Sequence, residues 1–347
     1  MNGKNSKLPI LTVVFLITAG IVFLFEEFLP SGKGGSLLFI LLFWVAVVEG
    51  SIAVVAAAEF STGKWIKPYR KDLLSVYPFL LLLAFLFIVF IPRIKYYPWI
   101  HEPGWWMNVE LFAARSIFLL LLAFAAAWRF AKEALNEGPR KNFWAVVYLF
   151  VFITSQTSVA FDWVMSLEYP WYSTLFGAYF FIEAFYVALA FGGILTYLRR
   201  KAYLEEFPQS FDKSRYDLAT LLFGFATFWG AQFYTQYIVI WYGNLPEEVF
   251  LLADRISRSP WRELSYSFIF ILFVIPFVTF IFRKAKANYT IFLIISVLVW
   301  IGLLIERLVL ISPRLHVNLI TFILEGGLTT LVFIYMFKNR ENLLPTP

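Results

Sequence analysis

Long apolar stretches alternate with short polar ones along this chain, at a spacing that matches bilayer thickness rather than the layers of a soluble core. Uninterrupted apolar runs of about 20 residues, the length that crosses a hydrocarbon core, lie near 9–29, 35–59, 73–92, 109–130, 143–165, 173–198, 217–243, 263–282, 289–311 and 318–337. The pattern predicts an all-α polytopic membrane protein with about ten transmembrane helices, forming a single integral membrane domain over 1–347. Composition agrees, with 61% hydrophobic, 21% aromatic and 15% charged residues, more apolar surface than a soluble domain needs. Lys4 and Lys7 precede the first run, which ends in Glu26 and Glu27 without a small-residue cleavage pattern, so a retained helix is expected rather than a signal peptide.

The net charge of +6 is distributed as in a membrane protein, which argues for a lipid bilayer and against nucleic acid as the partner. Alternate loops and both termini hold 20 of the 29 Lys and Arg. The positive-inside rule then places both termini in the cytoplasm and the sparse loops outside; the expected location is the cell inner (cytoplasmic) membrane, multi-pass. The opposite side carries Trp99, Trp105, Trp106, Trp163, Trp171, Trp241 and Trp261, expected mostly as an interfacial aromatic belt.

Polar groups inside the runs then narrow the chemistry. Glu49, Asp162, Glu183, Glu306 and Glu325, with Arg115 and Arg307, fall within apolar segments, where a lipid-facing charge costs roughly 2.5 to 3.5 kcal/mol. They are expected to face protein or water, and helix direction puts most of them in the outer half. Ser155 and Ser158 are spaced to stack on the face of Asp162, and Gln232 and Gln236 lie one turn apart. Two uses fit these groups: proton handling along an aqueous path, and structural ion pairs or interhelical hydrogen bonds. With no cysteine and two histidines, His101 and His316, both outside mid-membrane, neither cluster thiolates nor facing haem histidines are available. No metal or cofactor is expected on the chain itself. Gly326-Gly327 within the last run is expected to permit close helix packing.

The second to fifth segments (35–165) and the sixth to ninth (173–311) begin and end on the same side, giving two four-helix bundles of one orientation, with 9–29 and 318–337 as flanking helices. The first helix of each unit carries an acid (Glu49, Glu183) and so does the fourth (Asp162, Glu306).

Two stretches carry a family likeness. Phe161-Asp162-Trp163-Val164-Met165-Ser166-Leu167-Glu168, continuing through Trp171-Tyr172-Ser173-Thr174 to Gly177, is the first; Phe228-Trp229, Gln236-Tyr237 and Ile240-Trp241-Tyr242-Gly243-Asn244-Leu245-Pro246-Glu247-Glu248 form the second. Together they resemble the ActF-type membrane subunit of alternative complex III, a quinol:cytochrome c oxidoreductase, with an NrfD/PsrC-like fold. The resemblance implies a respiratory-chain setting. Its partners would be a sister NrfD-like membrane subunit carrying the quinol site, an extracytoplasmic multihaem cytochrome c and an iron–sulfur subunit, so that haem and Fe-S lie in partners and not here. It further implies a subunit that supplies a proton path or conformational coupling. Where the family pattern follows the signature Glu with Pro and His, this chain has Tyr169 and Pro170, so no histidine can accept a proton there.

Three other readings stay open: a quinol-binding subunit in which His101, Asp162 and Trp163 meet the ring, a structural scaffold, and a secondary transporter, the last disfavoured because the two units look parallel rather than inverted.

Overall fold

A computed structural model describes residues 8–29 and 33–344. Lys4 and Lys7 lie outside the described residues, as do the side chains of Glu247 and Glu248. Among the described residues there is no strand, and the chain is a succession of helices. We label the principal ones α1 (Leu8–Phe28), α2 (Gly35–Phe60), α3 (Arg70–Tyr96), α4 (Val109–Leu135), α5 (Lys141–Glu168), α6 (Leu175–Leu198), α7 (Phe211–Gly243), α8 (Pro246–Ser257), α9 (Trp261–Ile281), α10 (Tyr289–Ile311) and α11 (Leu319–Lys338). Among the described residues nine of these are apolar and long enough to cross a membrane, which makes the protein an all-α polytopic membrane protein. The tenth expected span is α7. Its 33 residues reach about 50 Å at 1.5 Å per residue, but Gln232, Gln236 and several threonines lower its hydropathy.

Helix bounds outrun the apolar runs at the polar ends. Helix α3 begins at Arg70 rather than 73, and α7 at Phe211 rather than 217, because backbone hydrogen bonding continues past the point where side chains turn polar. Asparagines set three starts: Asn108 Oδ1 accepts from Leu111 N at 2.8 Å, Asn288 from Thr290 N at 2.9 Å and Asn318 from Ile320 N at 3.0 Å, each satisfying a donor that the helix leaves open. Three helices are irregular inside, α3 breaking into turns over 75–78 and closing in a 3-10 stretch over Ile91–Tyr96. Helix α5 passes from α-helix into a π turn over Val159–Val164 and a 3-10 turn over Met165–Glu168. Helix α9 holds a π turn over Phe270–Val274 beside Pro276, which has no N–H to give.

Helix α2 is apolar on every side and is the axis of the molecule, buried along nearly its whole length. It packs along α6, so the first helices of the two expected four-helix units meet at the centre. Their closest approach needs Gly50: a Cβ there would overlap the carbonyl oxygen of Ala184. Gly326 and Gly327 do not have the expected packing role. A Cβ at Gly327 would meet nothing within 4 Å, and one at Gly326 only Phe322 of its own helix, since this face of α11 points away from its neighbours. Helices α1 and α11 pack together as a flanking pair, with α1 also against α3.

The tryptophans divide. Trp105, Trp106 and Trp241 are exposed as a belt would be, but Trp99, Trp163 and Trp171 are buried. For Trp99 and Trp163 the cause is the segment after α3, whose 3-10 turn over Pro98–His101 folds back over the ends of α4 and α5. Tyr97 Oη donates to the carbonyl of Trp163 at 2.8 Å, Trp163 Nε1 donates to Ser116 Oγ at 2.9 Å, and its ring stacks on Phe87 at 4.8 Å.

Candidate functional site

Among the described residues the buried charges fall into separate bonded groups and do not form one connected cluster. The most enclosed group joins α6 to α10. Tyr179 and Glu183 lie four residues apart on one face of α6, and Glu306 and Arg307 are consecutive on α10. Arg307 Nη2 pairs with Glu183 Oε2, and its Nη1 lies 3.2 Å from Glu306 Oε2. Tyr179 Oη donates to Glu306 Oε1, and the guanidinium stands over the Phe180 ring at 4.1 Å. Glu183 and Arg307 are wholly buried and Glu306 nearly so. Two acids in mutual contact share one base. Ionised throughout, the group would carry one uncompensated negative charge.

One end of this group is open. Glu306 forms part of the wall of a cavity of about 380 Å³ between α6, α7, α8, α9 and α10, whose other walls are mainly apolar, aromatic residues such as Trp171, Phe176, Tyr179 and Phe233 alternating with aliphatic ones. Gln236 also lines it, its Oε1 accepting from Ser173 Oγ at 2.6 Å. Gln232, one turn earlier, keeps a buried Oε1 with no hydrogen-bond partner. A chain of polar groups therefore runs from the cavity at Glu306 through Arg307 to Glu183 in the dry centre.

Glu49, on α2, is held by neutral donors: Ser155 Oγ at 2.8 Å and Gln156 Nε2 at 2.9 Å. Ser155 was expected beside Asp162 and is not. The π turn that follows Ser158 rotates less per residue than an α-helix, so Asp162 no longer falls on the face of Ser155. Glu49 and Glu183 flank the Gly50–Ala184 contact of α2 with α6, and each reaches the fourth membrane helix of its own unit, α5 and α10 respectively.

Asp162 forms a closed clamp. Arg115 meets it with two bonds, Nε to Oδ2 at 2.6 Å and Nη2 to Oδ1 at 2.9 Å, and Ser158 Oγ adds a third at 2.7 Å. Arg115 also donates to the Trp106 carbonyl at 2.7 Å and covers the Trp106 ring at 4.5 Å. One cation matches one anion here through two parallel bonds, which suits a structural pair. His101 is exposed on its turn, Trp163 is committed to Ser116, and Asp162 to Arg115, so these three do not frame a ring-sized site.

Glu325, on α11, lies against Glu26 of α1. Arg93 from the end of α3 binds Glu26 Oε2 at 3.2 Å and Glu27 Oε1 at 2.7 Å. Sequence reasoning passed over Glu26 and Arg93 because they sit at helix ends, where charges are ordinary. It also passed over Glu168, which is buried and takes Arg255 Nη2 at 2.6 Å and Arg314 at 2.8 Å. On the basic side Asp72 is buried among Arg199, Arg340 and Tyr203. A signal existed for Asp72, an acid that follows Lys64, Lys67, Arg70 and Lys71; the segment around Glu168 holds no basic residue and gave none.

No protein-family model and no curated protein matches this chain.

Proposed function

We propose that this chain is the non-haem integral membrane subunit of a quinol-oxidising electron-transfer complex of the alternative-complex-III type, and that it handles protons rather than electrons. The observation that carries the reading is the Tyr179–Glu306–Arg307–Glu183 chain. Side-chain proton transfer needs titratable groups within hydrogen-bond reach of one another, and a relay needs one end open to an exchange partner. Glu306 supplies the open end at the cavity, Glu183 the enclosed one, and Arg307 keeps the pair together without a full buried charge excess. Glu49, bound only by Ser155 and Gln156, is the next acid along the α2–α6 seam. The two signature stretches support the assembly: a sister NrfD-like membrane subunit, a multihaem cytochrome c and an iron–sulfur subunit, with both termini of this chain in the cytoplasm.

Asp162, Arg115 and Ser158 act in this reading as a fastening for the outer loop, outside the proton route. The test is made in the intact complex. Glu306→Gln and Glu183→Gln should each lower protons released per electron while haem content and assembly stay normal. Wild-type proton yield and turnover in both variants would remove the basis of the proposal.

A further inference from the structure

Four cations gather where the basic ends of α6, α7, α9 and α10 meet, and a single carboxylate answers them. Arg200 follows α6, Arg215 lies in the first turns of α7, and Arg283 and Lys286 belong to the link from α9 to α10. Tyr289, the first residue of α10, draws two of them together: the Arg200 guanidinium stands 4.0 Å from the centre of its ring and that of Arg215 4.1 Å. The two charges are therefore no farther apart than one screening length, about 8 Å at physiological salt.

The carboxylate is already spent. Asp212 Oδ1 accepts from Tyr289 Oη at 2.6 Å and pairs with Arg215 Nη2 at 3.4 Å. Arg215 Nη1 donates to the carbonyl of Lys286 at 3.1 Å, and Nε stays enclosed without an acceptor, so Arg215 fixes the α9–α10 link against α7. Arg200 and Lys286 are not committed in this way. Among the described residues, Arg215–Asp212 is the one ion pair that these four cations make. Lys286 is only 9% exposed, its ammonium lies 4.7 Å from the centre of the Phe223 ring, and Arg283 is close enough to repel it. A buried charge is normally paired. This cluster is short of an anion.

Its place in the fold says which anion. Exposed Tyr197 and Leu198 end α6 just before the arginines, and exposed Ile281 and Phe282 end α9 just before Arg283. The cations thus sit where the apolar outer surface of two membrane helices stops, at the level of lipid headgroups. A soluble anion gains nothing from those apolar neighbours, whereas a phospholipid lays its tails along them and sets its phosphate among the cations.

We propose that this corner binds the phosphate of an anionic phospholipid, with Arg200 and Lys286 as its ligands and with Tyr289 and Arg215 positioning them. The site is separate from the cavity and acids of the proposed function, and it stands whether or not that reading does.

The experiment is native mass spectrometry of the full chain in detergent, titrated with dioleoylphosphatidylglycerol and separately with dioleoylphosphatidylcholine, which has the same tails and no net charge. The first lipid bound should favour phosphatidylglycerol by about 25-fold, at about fivefold for each of the two uncommitted cations. Arg200→Gln/Lys286→Gln should bring that preference close to one. Lys64→Gln/Lys67→Gln, an equal loss of charge from exposed positions in another basic loop, should leave it unchanged. Inorganic phosphate should displace the lipid no better than sodium chloride at equal ionic strength. Equal binding of the two lipids, which no variant is needed to reveal, or equal loss in both double variants would overturn the proposal. Specific displacement by inorganic phosphate would overturn it too, since the site would then take a soluble anion.

Discussion

Replacing Arg307 by Met removes the one cation that Glu183 and Glu306 share, in a place with no exposure to solvent. At 3.2 Å from Glu306 the guanidinium contributes a direct attraction of about 5 kcal/mol at an effective dielectric of about 20, before desolvation is set against it. Breaking a buried pair by deleting one partner typically costs about 3–5 kcal/mol, because the remaining charge is left in a poor solvent. We expect a loss in that range for Arg307→Met, read from SDS-induced unfolding in mixed micelles by tryptophan fluorescence. The combined variant Glu183→Leu/Glu306→Gln/Arg307→Met leaves Tyr179 an acceptor and no stranded charge, and should recover most of the loss, since a buried ionic triad is often replaced by neutral groups at little net cost. A loss below about 1 kcal/mol for the single variant, or no recovery in the combined one, would refute the view that Arg307 offsets the charge of the two acids it joins in a dry interior.

Asp162→Asn should free the loop that Arg115 fastens, at about 2 kcal/mol, detected as faster proteolysis between 102 and 108 with the helices intact. Gly50→Ala should force α2 from α6 and destabilise by roughly 1–3 kcal/mol, whereas Gly327→Ala, which meets no neighbour, should be neutral or stabilising by up to about 1 kcal/mol; equal effects in unfolding assays would contradict the α2–α6 seam. On the basic side, hydrogen bonds from Lys141 and then Arg70 hold the Glu137 carboxyl at about 2, below its ordinary 4.5. A lowered folded value means stability that is fully present above about 4.5 and lost as pH falls toward 2. Glu137 is 58% exposed, so the contribution is below about 1 kcal/mol. The difference in unfolding free energy between wild type and Glu137→Gln should be flat above pH 4.5 and shrink below it.

Much of the candidate site was visible as residue types in forbidden places. Glu183, Glu306 and Arg307 announce themselves because a charge inside an apolar run must have a partner, and the structure makes them partners of each other. The same logic overlooked Glu168, Glu26 and Arg93, since an acid or arginine at a helix end costs little and raises no alarm; that they are buried follows from the fold of the segments above them. The Ser155 pairing failed for a local reason, as residue spacing assumes a uniform helix and the Val159–Val164 turn is not one. The tryptophans failed for a tertiary reason, with Trp99 and Trp163 drawn inward by chain that folds back over the helix ends.

The sequence by itself determined that this is an all-helical protein of the membrane, because each apolar run is long enough to span a bilayer and each carries its own backbone hydrogen bonds. It also determined which side chains could not face lipid. Which of those side chains meet was decided only by the tertiary structure. Partner choice depends on which helices are neighbours and on rotations of a few tens of degrees about their axes, and close contacts such as Gly50 on Ala184 and a single π turn set those rotations. The cavity beside Glu306 belongs to the same class of fact, being space that five helices leave between them and that no one of them encodes.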